Sequence, residues 1–345
     1  MKVSLWFPSL MLALLFVFCG VAGAADLDAL KEELRVCPHR ILFERYADNN
    51  WDLFVMHADG SDVRNLTKTP AVHEMYPKAS PDGKRICFQV DTEKDGKTLR
   101  SIYYMNADGT ERKLVCEKAR QPCWSPDGKK IAFLKQEFNR FEIKDFGSKG
   151  LFFYDLATGK TKKHPNEKIE HLYAPNWSPD SKWIVSTVHA GMGYGHGILA
   201  IDVNGEGVYD LGLHGCRPCL SDDGSQVTWS SNDHTIGLAD IDFSQSIPKA
   251  TDIRAIAKHK ELHLYHPDFS PDGRYVTFSS GPGGRVAAKG PGTHTEVAEM
   301  VGVCGPWDIF LVRSDGQGDP IQLTHDASLS SKESDWLPAA QDATQ

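Results

Sequence analysis

Several things are missing from this sequence, and each absence removes a class of function. Beyond the first two dozen residues no apolar run approaches the length a membrane-spanning helix needs. No cluster of Lys and Arg appears, and the formal net charge is −8, moving to −9 once Lys2 is removed with the leader. An acidic chain without a basic patch is a poor ligand for nucleic acid or anionic membrane. There is no Gly-x-Ser-x-Gly elbow and no room for a hydrolase domain, which excludes an enzyme of the prolyl-oligopeptidase type. No Cys-x-x-Cys-His haem attachment occurs, and the single Cys-x-x-Cys, Cys216 to Cys219, has no second copy to complete a zinc tetrad.

What is present begins with an export signal over residues 1–24. Lys2 supplies a positive start, Leu10 to Val17 an apolar core, and Ala22-Gly-Ala24 a small-residue cleavage site. The mature chain is therefore expected in the periplasm or secreted, monomeric and without an integral membrane segment. Seven cysteines remain after cleavage, an odd number. Export permits disulfides, yet a domain of this size buries a core without them. Cys216-Arg-Pro-Cys219 reads as a redox pair, a local disulfide, half a zinc site beside His214, or structural thiols.

The chain repeats one sentence. Gln121-Pro-Cys-Trp-Ser-Pro-Asp-Gly-Lys-Lys-Ile-Ala-Phe133 recurs around Pro77, Pro175, Pro218 and Pro267, at spacings of 45, 53, 43 and 49 residues. A period in the forties built from strand-sized apolar runs is the signature of a β-propeller blade. In each unit a first strand runs into a Ser-Pro-Asp-Gly turn, whose proline presets φ and whose glycine supplies the left-handed exit. The recurring aspartates Asp82, Asp127, Asp180, Asp222 and Asp272 are read as the turn builders. A third strand typified by Ile102 to Gly109 and a short outer strand follow.

Six third strands can be counted but only five complete first strands. The sixth is found at the other end, as Ser334-Asp-Trp-Leu-Pro338, with Trp336 in the place of Trp124. The expected fold is all-β: a six-bladed propeller over residues 40–338, of four-stranded antiparallel blades. Its ring is closed by the C-terminal strand, one strand against three. Residues 25–39 precede it, with helical spacing of Leu27, Leu30 and Leu34, and residues 339–345 form a tail.

These blocks resemble the propeller repeats of the TolB family, Trp51-Asp-Leu-Phe-Val-Met-His-Ala-Asp-Gly60 followed by Asn65-Leu-Thr67 matching closely. The resemblance implies the fold. The N-terminal α/β domain of TolB has no counterpart in residues 25–39. Such repeats serve binding proteins, peptidase propellers and polysaccharide lyases alike.

Turns between first and second and between third and fourth strands share one face and are short. The other face carries the long connections 134–149, 187–196, 252–266 and 279–306, and rigidly held loops are where binding groups usually reside. Twelve of the 14 histidines fall on that side. Loops collect histidines by default, since strand interiors disfavour them, so scattered surface residues are the plain alternative. The candidate ligand-binding set is Arg120, His171, His189, Tyr194, His196, His214, Arg217, His263 and His266. Imidazoles from separate loops suit a divalent transition metal, with His214, His263 and His266 as the metal set, or acid and base work on a sugar acid. Arg120 and Arg217 suit a carboxylate or sulfate, or a neighbouring acid of the chain itself.

His266-Pro-Asp-Phe-Ser-Pro-Asp-Gly273 is similar to the metal-site motif of oligogalacturonate lyases, although Leu264 stands where that pattern has a second histidine. The resemblance implies a metal-dependent uronate lyase. The other expectation is a non-catalytic propeller binding a protein or a glycan on its long-loop face. The insertion 279–306 is long enough for a lid. Phe138, Phe141 and Phe146 in 134–149 suit a contact surface.

Overall fold

In the computed structural model the described residues are 26–48, 50–70, 72–136, 148–282, 307–326 and 328–339. The leader, the aromatic loop around Phe141, most of the 279–306 insertion and the tail beyond residue 339 lie outside them.

Six four-stranded sheets form the ring. Five are consecutive stretches of chain. The first blade is composite: Ser330–Leu337 pairs antiparallel with Arg40–Ala47, placing Trp336 opposite Ile41 and Asp335 opposite Leu42. The ring is thus closed one against three, so that the first blade, like the other five, has four strands.

Each Ser-Pro-Asp-Gly turn is fixed by the same small network. Ser80 Oγ donates to Asp82 Oδ1, Lys84 N donates to the same oxygen, and Arg85 N donates back to Ser80 Oγ. Gly83 takes φ +66°, the left-handed conformation its place demands. Ser125 with Asp127, Ser178 with Asp180, and Ser270 with Asp272 repeat the pattern. In the fifth blade Asp223, not Asp222, builds the turn, bonded by Ser221 Oγ and Ser225 N. The sequence there is Ser-Asp-Asp-Gly, so Asp222 occupies the place proline holds elsewhere. The sequence reading of Asp222 as a turn builder is one residue out.

A second repeated device has no signature in the sequence. The residue before the motif proline has positive φ in every inner strand: Tyr76 53°, Gln121 49°, Ala174 49°, Arg217 58° and His266 55°, with Glu333 at 49° in the sixth. Each marks a β-bulge, where the register with the second strand shifts. A bulge frees a backbone N–H, which must find an acceptor when buried. The acceptor comes from the second strand of the preceding blade, at one repeat position. Glu44 receives Tyr76 N, Gln89 receives Gln121 N, Thr187 receives Arg217 N, and Ser279 receives Glu333 N. The third blade has Leu134 at that position, and the Gln121 side chain accepts from Ala174 N instead. Thr187→Val removes a buried acceptor while keeping its shape. It is expected to lower stability by about 1–3 kcal/mol in urea denaturation, whereas an unchanged midpoint would speak against the bond's importance.

Hydrophobic clusters fill the spaces between blades. Residues 26–35 form a helix whose buried Leu30 and Leu34 pack against Phe43, Tyr275, Ile309 and Trp336. The helix therefore lies across the seam where first and sixth blades meet. Glu33 binds both terminal nitrogens of Arg313 and accepts from Tyr275 O–H. These bonds hold its carboxyl down at about 2.

Candidate functional site

The six inner strands line a central channel, and the repeat assigns its levels. At the waist stand Tyr76, Gln121, Ala174, Arg217, His266 and Glu333, the bulge residues themselves. Two positions on, Lys78, Cys123, Asn176, Cys219, Asp268 and Asp335 line a cavity of about 340 Å³ at the Ser-Pro-Asp-Gly face. Its wall includes Trp124, Trp177, Phe269 and Trp336, and its rim Pro81, Pro126, Pro179, Pro271 and Pro338, with Asp222 in the sixth place.

The waist is held shut by its own charges. Arg217 Nη1 lies 2.8 Å from Glu333 Oε1, its Nη2 donates to Tyr76 O–H at 3.2 Å, and its guanidinium lies over the Tyr76 ring. His266 Nε2 lies 2.6 Å from the same Glu333 oxygen, and its Nδ1 lies 3.1 Å from Ser279 Oγ. Burial pushes His266 down to about 3 despite Glu333, so the imidazole is neutral and donates from Nε2. Burial also opposes the Glu333 charge, but Arg217 and His266 outweigh it and lower that carboxyl to about 2. Arg217 and His266, both expected to meet ligand, are thus joined to each other through Glu333.

The lower cavity carries an excess of acid. Lys78 Nζ pairs with Asp268 and, at 3.0 Å, with Asp335, whose other oxygen accepts from Ala79 N. Burial works against the Lys78 charge, yet these two acids outweigh it and hold the ammonium well above its ordinary value. Burial and the adjacent Asp268 raise Asp335 to about 7, with Lys78 opposing. At the rim, Asp222 is solvent-accessible but set in a concave wall. Crowding by protein, then the charges of Asp335 and Asp223, raise it to about 6. The thiols here are inert: burial drives Cys123 up to about 12 and Cys219 well above its usual value. The described cysteines are free, so Cys216 and Cys219 form no disulfide.

On the long-loop side, three residues ahead of the waist, come His73, Lys118, His171, His214, His263 and Ser330, so four blades carry histidine at one repeat position. They do not converge as a group. His73 Nδ1 accepts from Trp51 N, and His263 lies edge-on to His234 at 5.0 Å between ring centres. His171 Nδ1 meets the His189 carbonyl at 3.2 Å, and His189 and His196 face each other with Nδ1 atoms 3.0 Å apart. Tyr194 O–H anchors its loop to the Val208 carbonyl. Arg120 is buried one position before the waist, at 4% exposure. Among the described residues no three His, Cys, Asp or Glu side chains are disposed to hold a metal ion. The expected set of His214, His263 and His266 is accordingly not assembled: His266 is turned into the waist and His263 against His234.

No family model matches the chain. Its sequence is 27% identical over 218 residues to the uncharacterized peptidase YuxL of Bacillus subtilis, covering 61% of this chain and 30% of that protein. It is 32% identical over 94 residues to the Tol-Pal system protein TolB of Alcanivorax borkumensis, covering 25% of this chain and 19% of that protein. The chain therefore spans less than a third of the length of these relatives. TolB from Acinetobacter baumannii superposes with a TM-score of 0.63 at 18% identity, over 87% of this chain and 67% of that one. The chain has a six-bladed β-propeller fold similar to that of TolB. No helix among the described residues is long and apolar enough to cross a membrane.

Proposed function

We propose that the chain is an exported, non-catalytic propeller that holds a protein partner by admitting a basic segment of it to the cavity on the Ser-Pro-Asp-Gly face. The observation that carries this reading is the charge imbalance in an apolar collar. Asp222, Asp268 and Asp335 face one cation, Lys78, inside a rim of prolines and aromatic rings. A Lys or Arg side chain brings the missing positive charge, and its aliphatic stem suits the collar. The same imbalance repels uronates, which favours a peptide over the acidic sugar a lyase would take. This moves the binding face from the long loops to the opposite mouth.

Because Asp222 ionises near pH 6 and Asp335 near 7, the attraction grows as pH rises through 6 to 7 and weakens below that range. Calorimetry with eight-residue peptides tests this directly. Lysine-bearing peptides are expected to bind the full chain roughly tenfold more tightly at pH 7.5 than at pH 5, an electrostatic difference of about 1.4 kcal/mol. Asp222→Pro, which restores the turn of the other blades, should remove the part of that pH dependence centred near 6 and leave the part near 7 that Asp335 supplies. Equal binding of glutamate-bearing peptides, or an unaltered pH profile in the variant, would refute the proposal.

A further inference from the structure

We propose that Asn176 sets the kind of segment the cavity accepts: its amide nitrogen donates to a main-chain carbonyl of the occupant, so that the partner must present its basic residue on extended chain rather than on a helix. The inference rests on the peptide reading above and deepens it. Six side chains form the inner ring of the cavity, one from each blade. Cys123, Cys219, Asp268 and Asp335 are buried, while Lys78 and Asn176 are half-buried and reach the open space. Lys78 is committed to its two acids. Asn176 is the uncharged member of that accessible pair, and its orientation is fixed, because Oδ1 accepts from Leu220 N of the fifth blade at 3.2 Å. Among the described residues nothing bonds its Nδ2, so two N–H donors are left for whatever enters.

The placement gives the occupant a direction. The fifth, sixth, first and second blades contribute the charges, Asp222, Asp268, Asp335 and Lys78. The third and fourth contribute Cys123, Asn176 and the rings of Trp124 and Trp177, without charge. The inner strands follow one another round the ring, so Asn176 of the fourth blade stands across the channel from Asp335 of the first. Its strand, Leu172–Trp177, is bulged between Tyr173 and Asn176, and Asn176 resumes the pairing nearest Val185, which holds the side chain on rigid sheet. A residue that aims its cation at the acids therefore turns its own main chain towards Asn176. A helix has already engaged its carbonyls in bonds along its own axis. A lysine on a helix thus brings the charge but no acceptor, and the Asn176 donors, stripped of water, go unmet at a cost. An extended segment has carbonyls to spare beside the basic side chain. A polyamine has none.

Two probes are titrated calorimetrically into the full chain: the lysine-bearing peptides used above, and spermidine, a polyamine without a carbonyl. Asn176→Asp keeps an oxygen for Leu220 N and the shape of the side chain, while replacing the donor by an acceptor. It is expected to lower the ratio of peptide to spermidine affinity by about tenfold or more, since the carbonyl loses its donor and meets a carboxylate instead. Spermidine itself should bind the variant at least as tightly as wild type, because an acid has been added. With the wild-type chain, the same peptide locked as a helix by a side-chain lactam should bind about tenfold more weakly than its linear form. An unchanged ratio in a variant with wild-type circular dichroism, or equal binding of helical and linear peptides, would overturn the role of Asn176 and leave the cavity reading standing. Failure of the wild-type chain to bind any lysine-bearing peptide would instead overturn the cavity reading, and this inference with it.

Discussion

Deleting residues 330–345 is expected to leave a chain that does not fold cooperatively, rather than a propeller short of one strand. Every residue of Ser330–Leu337 is buried. Trp336 fills the cluster shared with Phe43, Tyr275 and Leu34, and Lys332 forms a wholly buried pair with Glu44 while lying over the Trp51 ring. Its loss strands the Glu44 charge in the interior, removes an acid from Lys78 and bares the pairing edge of Arg40–Ala47. A single substitution grades the effect. Trp336→Ala should lower stability by about 3–5 kcal/mol, a large part of the roughly 5–15 kcal/mol available to a domain. Guanidinium denaturation followed by circular dichroism measures both. A truncated chain with a native-like cooperative transition would show that the seam is not what holds the ring.

Glu333→Gln should have the next largest effect. The carboxylate is the common partner of Arg217 and His266, and the guanidinium is only 4% exposed. Removing one member of a buried pair leaves an uncompensated charge, at a cost of about 3–5 kcal/mol. Replacing both, as Glu333→Gln with Arg217→Met, should recover much of that loss, because no charge is then stranded. A urea double-mutant cycle gives the coupling. Additive losses would mean that the two side chains do not act as a unit at the waist. The pH dependence has a defined sign. Glu333 is depressed to about 2 in the folded chain, so its contribution is present above its unfolded value and is lost as pH falls through about 4.5 towards 2.

Much of the architecture was legible because it is spelled locally and repeatedly. The Ser-Pro-Asp-Gly turn needs a proline, a hydroxyl, a carboxylate and a glycine within four residues, and Trp336 betrays the displaced strand by its spacing from Pro338. The bulges were not legible: nothing in Gln121-Pro122 announces a left-handed glutamine, and its acceptor Gln89 lies a blade away. The same distance hid the waist. Arg217 and His266 were singled out as ligand groups because their partner, Glu333, is in the strand that returns from the far end of the chain. The turn carboxylate of the fifth blade is ambiguous in sequence because Asp222 and Asp223 offer two registers, and only the bond from Ser221 to Asp223 decides between them.

Carbon-13 NMR titration of the Asp222 and Asp335 carboxyl groups, with and without a lysine-bearing peptide, bears most directly on the acidic mouth. Midpoints near 6 and 7 are expected for the free chain, both shifting downward when the peptide binds, since a neighbouring cation favours the ionised form. Two carboxyls titrating near 4 and indifferent to the peptide would contradict it.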